Sequence, residues 1–296
     1  MVKIVECVPN FSEGVSQDIV EKILDEARNV SGVTLLDSSM DKDHNRSVVT
    51  FIGSVEGVEQ ASFNMVRKAC ELIDMRTHKG EHPRMGAVDV MPFIPIKNVD
   101  MDECIQIAKR VGQKIGSELD IPVYLYEQAA STKTRMNLAD VRRGQYEGFF
   151  EKIKQPEWKP DFGPDKVNEK SGCMAVGARV PLVAYNVNLD TSDINVATNI
   201  GKIVRHVGGG LRYVKAMGVT LEQRNIVQVS MNLVNYEKTA IYRAFEMVKM
   251  EAKRYGVSVV GSEIIGLVPA KALMDTAAYY LQLEDFKEDQ ILENRL

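Results

Sequence analysis

Short apolar runs of strand length alternate with longer segments of helical period, and they follow one order twice along the chain. The first series opens with VKIVECV (residues 2–8) and a helix starting at Ser16, with Ile19, Ile23, Leu24, Ala27 and Val30 on one face. VTLLD, ending at Asp37, and SVVTFIG follow as strands. A long helix then carries Val58, Ala61, Met65, Val66, Ala69, Leu72 and Ile73 at helical spacing, and an apolar run from Ala87 to Ile96 closes the series. Strands repeat at period 2 and helices near 3.6, so the order reads β-α-β-β-α-β, the split ferredoxin-like arrangement. A helix at about 101–119 and the strand PVYLYE extend this half, and DVRRGQYEGFFEKIK reads as helix.

QPEWKPDFGPDKVNEKSG then holds three of the ten prolines and reads as a loop with a stiffened backbone. After it the pattern repeats in kind. LVAYNVNL, a helix over 193–206, the strands LRYVKAM and IVQVSMNLVN, a helix over 238–255 and VSVVG form the second series. Pro269 suits the first turn of a last helix. The expectation is an α/β (α+β) chain of two ferredoxin-like subdomains, residues 1–181 and 182–296, facing each other across a cleft where ligands bind. With 296 residues and 45% apolar content, each half can bury its own core.

Charge excludes one broad class. The 37 basic and 41 acidic residues leave a net −4, which argues against a general nucleic-acid binder. Cys7, Cys70, Cys104 and Cys173 are widely spaced, without a C-x-x-C pair, so neither a disulfide framework nor a zinc knuckle is expected. No run approaches a membrane span and the N-terminus is too short in apolar residues for a secretory signal. A reduced, soluble, cytoplasmic protein with no nucleic-acid or membrane partner is the expectation.

The chemistry is sought in THKGEHPRMGAVDVMPFIP, residues 77–95, which holds two of the four histidines. His78, Glu81 and His82 match H-x-x-E-H, a zinc-binding pattern that requires a helix to stack both histidines on one face. Gly80 lies between them, and Pro83 forces His82 out of the helical region. No metal is therefore expected, and the alternative to a reactive site is a turn of solvated polar residues. Among the histidines His82 has the strongest claim, with its backbone fixed by Pro83 and Lys79, Glu81 and Arg84 placed to tune it. His44, beside Asp43, reads equally as a paired surface residue, and His206 as a group near a helix end. Gly208-Gly209-Gly210 lacks the strand–loop–helix order of a phosphate loop and reads as a flexible loop. No nucleophile signature surrounds a serine or cysteine.

KIVECVPNFSEG, LLD followed by HNRSVVTF, HKGEHPRMGAVDVMPFIP, MDEC, PVYLY, EWKPDFGP, GARVPLVAYNVNL and VVGSEIIGLVPAKAL occur in that order from the first strand to the last helix. In these blocks the chain resembles the glutamate formiminotransferase family. The resemblance implies transfer of a formimino group between N-formimino-L-glutamate and tetrahydrofolate, giving 5-formiminotetrahydrofolate and L-glutamate. Tetrahydrofolate would serve as the one-carbon acceptor or donor, without a metal. It further implies a folate-binding cleft between two subdomains, a homodimer, and a transferase without the fused cyclodeaminase domain, with a separate cyclodeaminase as a candidate partner. Carried over residue by residue, the catalytic histidine is His82. The folate-contacting linker is Gly163, Pro164, Asp165, Lys166, Val167, Asn168, Glu169, Lys170, Ser171 and Gly172. Substrate carboxylates need cationic forks, and Arg46, Arg84 and Arg179 are the candidates. Two other readings stand beside this one: a glutamate formyltransferase using 5-formyltetrahydrofolate, and a non-catalytic folate carrier.

Overall fold

In the computed structural model, residues 2–42, 44–80 and 83–295 are described, and the chain divides into two units, Met1–Val180 and Pro181–Leu296. The first unit contains β1 (Ile4–Cys7), β2 (Asn10–Phe11), α1 (Gln17–Arg28), β3 (Val33–Asp41), β4 (Arg46–Gly53), α2 (Val55–Leu72), β5 (Val88–Lys97), α3 (Met101–Leu119), β6 (Val123–Glu127), α4 (Leu138–Arg142), α5 (Gln145–Lys152) and β7 (Met174–Ala178). Seven strands make one sheet. β1 and β2 share a single lane between β4 and β5, with β3 outside β4 and with β7 and then β6 beyond β5. Pairings among β1 to β5 are antiparallel, whereas β5–β7 and β7–β6 are parallel.

Local chemistry sets the helix starts. Ser16, Ser54 and Asp100 each accept a backbone N–H in the first turn of α1, α2 and α3, satisfying donors that the helix itself leaves open. The buried stripes of these helices, including Ile23, Leu24, Val58, Met65, Ile107 and Ile115, join Val5, Cys7, Phe51 and Phe93 of the sheet in one core. Burying each such aliphatic side chain is worth about 1.5–3 kcal/mol.

The second unit contains β8 (Val183–Leu189), α6 (Ile194–Val204), β9 (Val214–Leu221), β10 (Ile226–Leu233), α7 (Ile241–Arg254), β11 (Val259–Ile265) and α8 (Ala270–Leu281). Its four strands run in the order β11-β8-β10-β9, every pairing antiparallel. Each β-α-β crossover therefore spans one intervening strand. The core alternates along β8 and β10, with Val183, Tyr185, Val187 and Leu189 packed with Val227, Val229, Met231, Leu233 and the buried residues of α6 and α7. Among the described residues no helix is long and apolar enough to cross a membrane.

Four local expectations are corrected. Strand β3, expected to end at Asp37, continues to Asp41 with a register shift between Leu35 and Asp37, and forms a hairpin with β4. The helix expected over DVRRGQYEGFFEKIK is two helices, broken where Gly144 takes φ +93°. The segment after the prolines contains β7, a strand unforeseen in the sequence. Finally, Gly208 and Gly210 do not form the flexible loop expected there. They pack against the end of α6, where a Cβ would lie 1.7 Å from the Lys202 carbonyl and 2.2 Å from that of Ile203. The turn delays β9 to Val214.

Candidate functional site

The connection between α2 and β5, residues 73–87, holds the first part of the 77–95 stretch, and it is stapled on both sides. On one side His78 Nε2 lies 3.1 Å from the Asn45 carbonyl, and the Asn45 amide donates to the Lys79 carbonyl at 2.8 Å. Gly80 presses onto this hairpin so closely that a Cβ would sit 2.4 Å from the His44 carbonyl. On the other side Arg84, only 7% exposed, reaches α5. Its guanidinium donates to Glu147 through two nitrogens at 2.7 and 3.0 Å and to Gln145 Oε1 at 2.9 Å. Its carbonyl accepts the Tyr146 N–H at 2.8 Å.

Arg84 Nε also donates to His78 Nδ1 at 3.3 Å. Because arginine only donates, Nδ1 is the acceptor and the ring proton sits on Nε2, facing Asn45. Burial, aided by the Arg84 charge and opposed by the Asn45 hydrogen bond, holds the His78 pKa below its ordinary value. Both ring nitrogens are spent on structure, so His78 has no free position for proton transfer. His82 and Glu81 lie outside the described residues, as does Asp43. His44 pairs with Asp41 at 2.9 Å.

A cavity of about 650 Å³ opens here, lined by Met75, Arg76, His78, Lys79, Gly80, Arg84 and the 144–147 turn at the start of α5. That volume falls within the range of small-molecule sites, roughly 300–1,000 Å³. Three cationic side chains, Arg76, Lys79 and Arg84, are on its wall. Arg76 is paired with Asp74 and Arg84 with Glu147, whose carboxylate is 64% exposed and held below the usual range by Arg84.

A smaller recess shares His78 and Arg84 with the cavity and adds Ser12, Asn45, Arg46 and Asp89. Asp89 is 2% exposed, pairs with Arg142 and accepts the Met85 N–H at 3.1 Å. Arg46 donates to Asn10, but its Nε is buried without a hydrogen-bond partner, as is that of Arg142. Burial, then the neighbouring Arg142 charge, pushes the Arg46 pKa down to about 10. Two guanidiniums thus surround one carboxylate, an excess of positive charge suited to an anion.

Of the three arginines singled out in the sequence, Arg46 and Arg84 come together at the recess. Arg179 lines neither cavity; it donates to the Val180 carbonyl at 3.1 Å and lies near Glu6. None of residues 163–172 lines the larger cavity either, yet the linker is tied to its wall. Tyr146 donates to the Glu169 carbonyl at 2.5 Å and Met75 to that of Lys170 at 2.8 Å. Within the linker Asn168 Oδ1 accepts from the Lys170 and Ser171 N–H groups, Val167 is buried, and Lys170 Nζ donates to the Glu71 carbonyl at 2.7 Å.

Asp89, Arg142, Gln145 and Glu147 escaped the sequence reading, although a charge inside the apolar run AVDVMPFIP was a usable signal for Asp89. Lys152 escaped it too. Its ammonium donates to the carbonyls of Asp140, Val141 and Arg143 and so fixes the end of α4 that carries Arg142. Among the described residues no three His, Cys, Asp or Glu side chains gather as a metal site, and only His78 of the H-x-x-E-H pattern is described. Burial raises the thiols of all four cysteines, Cys70 to about 11.

Residues 4–179 match the formiminotransferase domain, N-terminal subdomain, and residues 184–294 match the formiminotransferase domain. A glutamate formimidoyltransferase of Streptococcus pyogenes serotype M1 is 56% identical over 100% of this chain and 99% of its own. One of Thermoplasma acidophilum is 50% identical over 100% and 98%. The formimidoyltransferase-cyclodeaminase of Rattus norvegicus is 44% identical over 100% of this chain and 57% of its own length. With both matched stretches and these full-length identities, the chain belongs to the formiminotransferase domain family.

Proposed function

We propose that the chain transfers a formimino group between N-formimino-L-glutamate and tetrahydrofolate, with 5-formiminotetrahydrofolate and L-glutamate as the other pair. The 56% identity to a glutamate formimidoyltransferase, end to end, carries this reading. The chemistry needs no metal. In the direction of glutamate release, N5 of tetrahydrofolate attacks the electrophilic formimino carbon and forms a C–N bond. A tetrahedral intermediate follows, the C–N bond to glutamate breaks, and the proton lost from N5 is returned to the departing glutamate nitrogen.

A histidine with a pKa near 6.5 both accepts and delivers that proton at neutral pH. We assign the shuttle to His82. The described residues on either side of it are pinned, His78 and Gly80 against the hairpin and Arg84 against α5. Positioning of this kind is what proton transfer between two bound substrates requires. Arg84 takes a glutamate carboxylate by exchange with the exposed Glu147, and Arg46, with its unpaired Nε, supplies the second cation. Arg179 remains a candidate for the folate carboxylates, and the 163–172 linker for folate itself. A homodimer, cytoplasmic residence and a separate cyclodeaminase as partner complete the proposal.

The test is a turnover assay with purified chain, N-formimino-L-glutamate and tetrahydrofolate. Glutamate release that depends on tetrahydrofolate is expected. Its absence across the neutral pH range refutes the reading.

A further inference from the structure

We infer that the second unit recognises the pterin ring of the folate through Glu263 and Asn186, on the sheet face opposite α6 and α7; this rests on the folate-dependent function proposed above. The alternation along β8 that turns Val183, Tyr185, Val187 and Leu189 into the core turns Ala184, Asn186 and Asn188 the other way. Register extends this second face across the sheet. Gln228 of β10 lies opposite Asn188, and Ser230 of β10 and Glu263 of β11 flank Asn186 from either side.

The face is polar yet withdrawn from solvent, with Asn186, Asn188 and Gln228 only 8%, 4% and 5% exposed. Two amides hold the carboxylate. Gln228 Nε2 donates to both Asn188 Oδ1 and Glu263 Oε1 at 2.8 Å, and Asn188 Nδ2 reaches the same Oε1 at 3.3 Å. The network thus fixes Glu263 through one oxygen, while Oε2 accepts nothing among the described residues. Beside it the Asn186 amide, more than nine-tenths buried, has no hydrogen bond among the described residues. The side chain is held in a largely buried position while its amide stays open to a ligand, and the fold gives it no structural hydrogen bond.

A fixed carboxylate next to an unspent amide is complementary to a planar edge with two parallel N–H donors followed by an acceptor. The 2-amino group, N3–H and C4 carbonyl of a reduced pterin present that edge. Glu263 takes the donor pair and the Asn186 amide N–H meets the carbonyl. A protonated formimino group also offers two N–H donors across N–C–N, but no acceptor for the Asn186 N–H. A site with a polar group for each ligand atom discriminates strongly against a ligand that lacks one. That favours the pterin.

Calorimetric titration of the full chain with 5-formyltetrahydrofolate tests the assignment, with p-aminobenzoylglutamate, which has no pterin, as control. Glu263→Gln sets an N–H against an N–H. It is expected to weaken the reduced folate at least about tenfold, the effect of losing a charge-assisted pair. Binding of p-aminobenzoylglutamate and the KM for N-formimino-L-glutamate should move by less than about twofold. Equal affinity of variant and wild type for the reduced folate overturns the assignment. So does a variant whose KM for N-formimino-L-glutamate rises while folate binding holds, since the carboxylate then serves the formimino group. If Glu263→Gln fails to fold, judged by near-ultraviolet circular dichroism, Asn186→Ala replaces it, because that amide supports no contact in the fold. A several-fold weaker reduced folate is expected and an unchanged one overturns the inference. Wild-type chain that binds no reduced folate at all refutes the proposed function instead.

Discussion

The two units share a skeleton and differ in where their polar groups sit. In the first, β3, β4, the β1/β2 lane and β5 stand in the same order as β9, β10, β8 and β11 in the second. The first unit is then enlarged by β7 and β6, and by α4 and α5, and its charged groups gather at element ends: Arg76 and Arg84 between α2 and β5, Arg46 and Asp89 at the starts of β4 and β5, and Arg142 and Glu147 in the short helices α4 and α5. In the second unit the notable polar groups are amides and one carboxylate on the strands themselves. Paired ions at element ends suit exchange with charged substrates, whereas side chains fixed along the middle of a sheet suit reading a flat ring. On the assignments proposed above, repetition of a fold does not repeat its use, and function follows the grafted groups.

The first way to break this contrast is to remove the buried charge at its centre. Asp89→Ala leaves Arg142 and Arg46 facing each other without their carboxylate, and breaking such a buried pair costs roughly 3–5 kcal/mol. Urea unfolding should report a loss of that order. A loss near zero would mean the arginines are already solvated. The second concerns exchange. Arg84→Ala should raise the KM for N-formimino-L-glutamate more than about tenfold, since a charge-assisted pair contributes roughly 1.5–3 kcal/mol. Glu147→Gln should lower that KM, because it removes the competing carboxylate. If both variants leave the KM unchanged, Arg84 serves only to staple the loop.

A smaller effect is expected from pH. His78 has a folded pKa below its unfolded value of about 6.5, so the unfolded chain takes up the proton first. Its contribution to stability is complete above about pH 6.5 and is lost as pH falls through the folded pKa. Urea midpoints for wild type and His78→Gln should converge on going from about pH 7.5 to about pH 5.5. Parallel midpoints would show that His78 takes up a proton equally in both states. The subtlest change is in the linker. Hydrogen exchange across residues 163–172 should slow when 5-formyltetrahydrofolate binds, and unchanged protection with binding confirmed separately would remove the linker from the site.

Much of this was legible in the sequence because it is locally encoded. Ser16 caps α1 as its position foretold, and the apolar periods of α1, α2 and β8 are the ones that are buried. What escaped is nonlocal. β7, MAVGA, has neither alternation nor β-branched residues to spare. Parallel neighbours on both sides bury it completely, so it reads as any short apolar run. The broken helix at Gly144 looks continuous by period alone. Arg84 and Glu147 are 63 positions apart, and only the fold makes them a pair. For the same reason the sequence separates His82 from His78 only through Pro83, whereas the fold engages His78 at both ring nitrogens.

That last distinction gives the most direct measurement, the pH dependence of turnover at saturating substrate for wild type, His82→Ala and His78→Gln. His82→Ala should lower turnover by about 10²–10⁴ with smaller effects on binding, and abolish the ionisation near neutrality. His78→Gln should retain that ionisation. A folded His82→Ala protein with near-normal turnover, or loss of the neutral ionisation in His78→Gln alone, would contradict the assignment of the proton shuttle to His82.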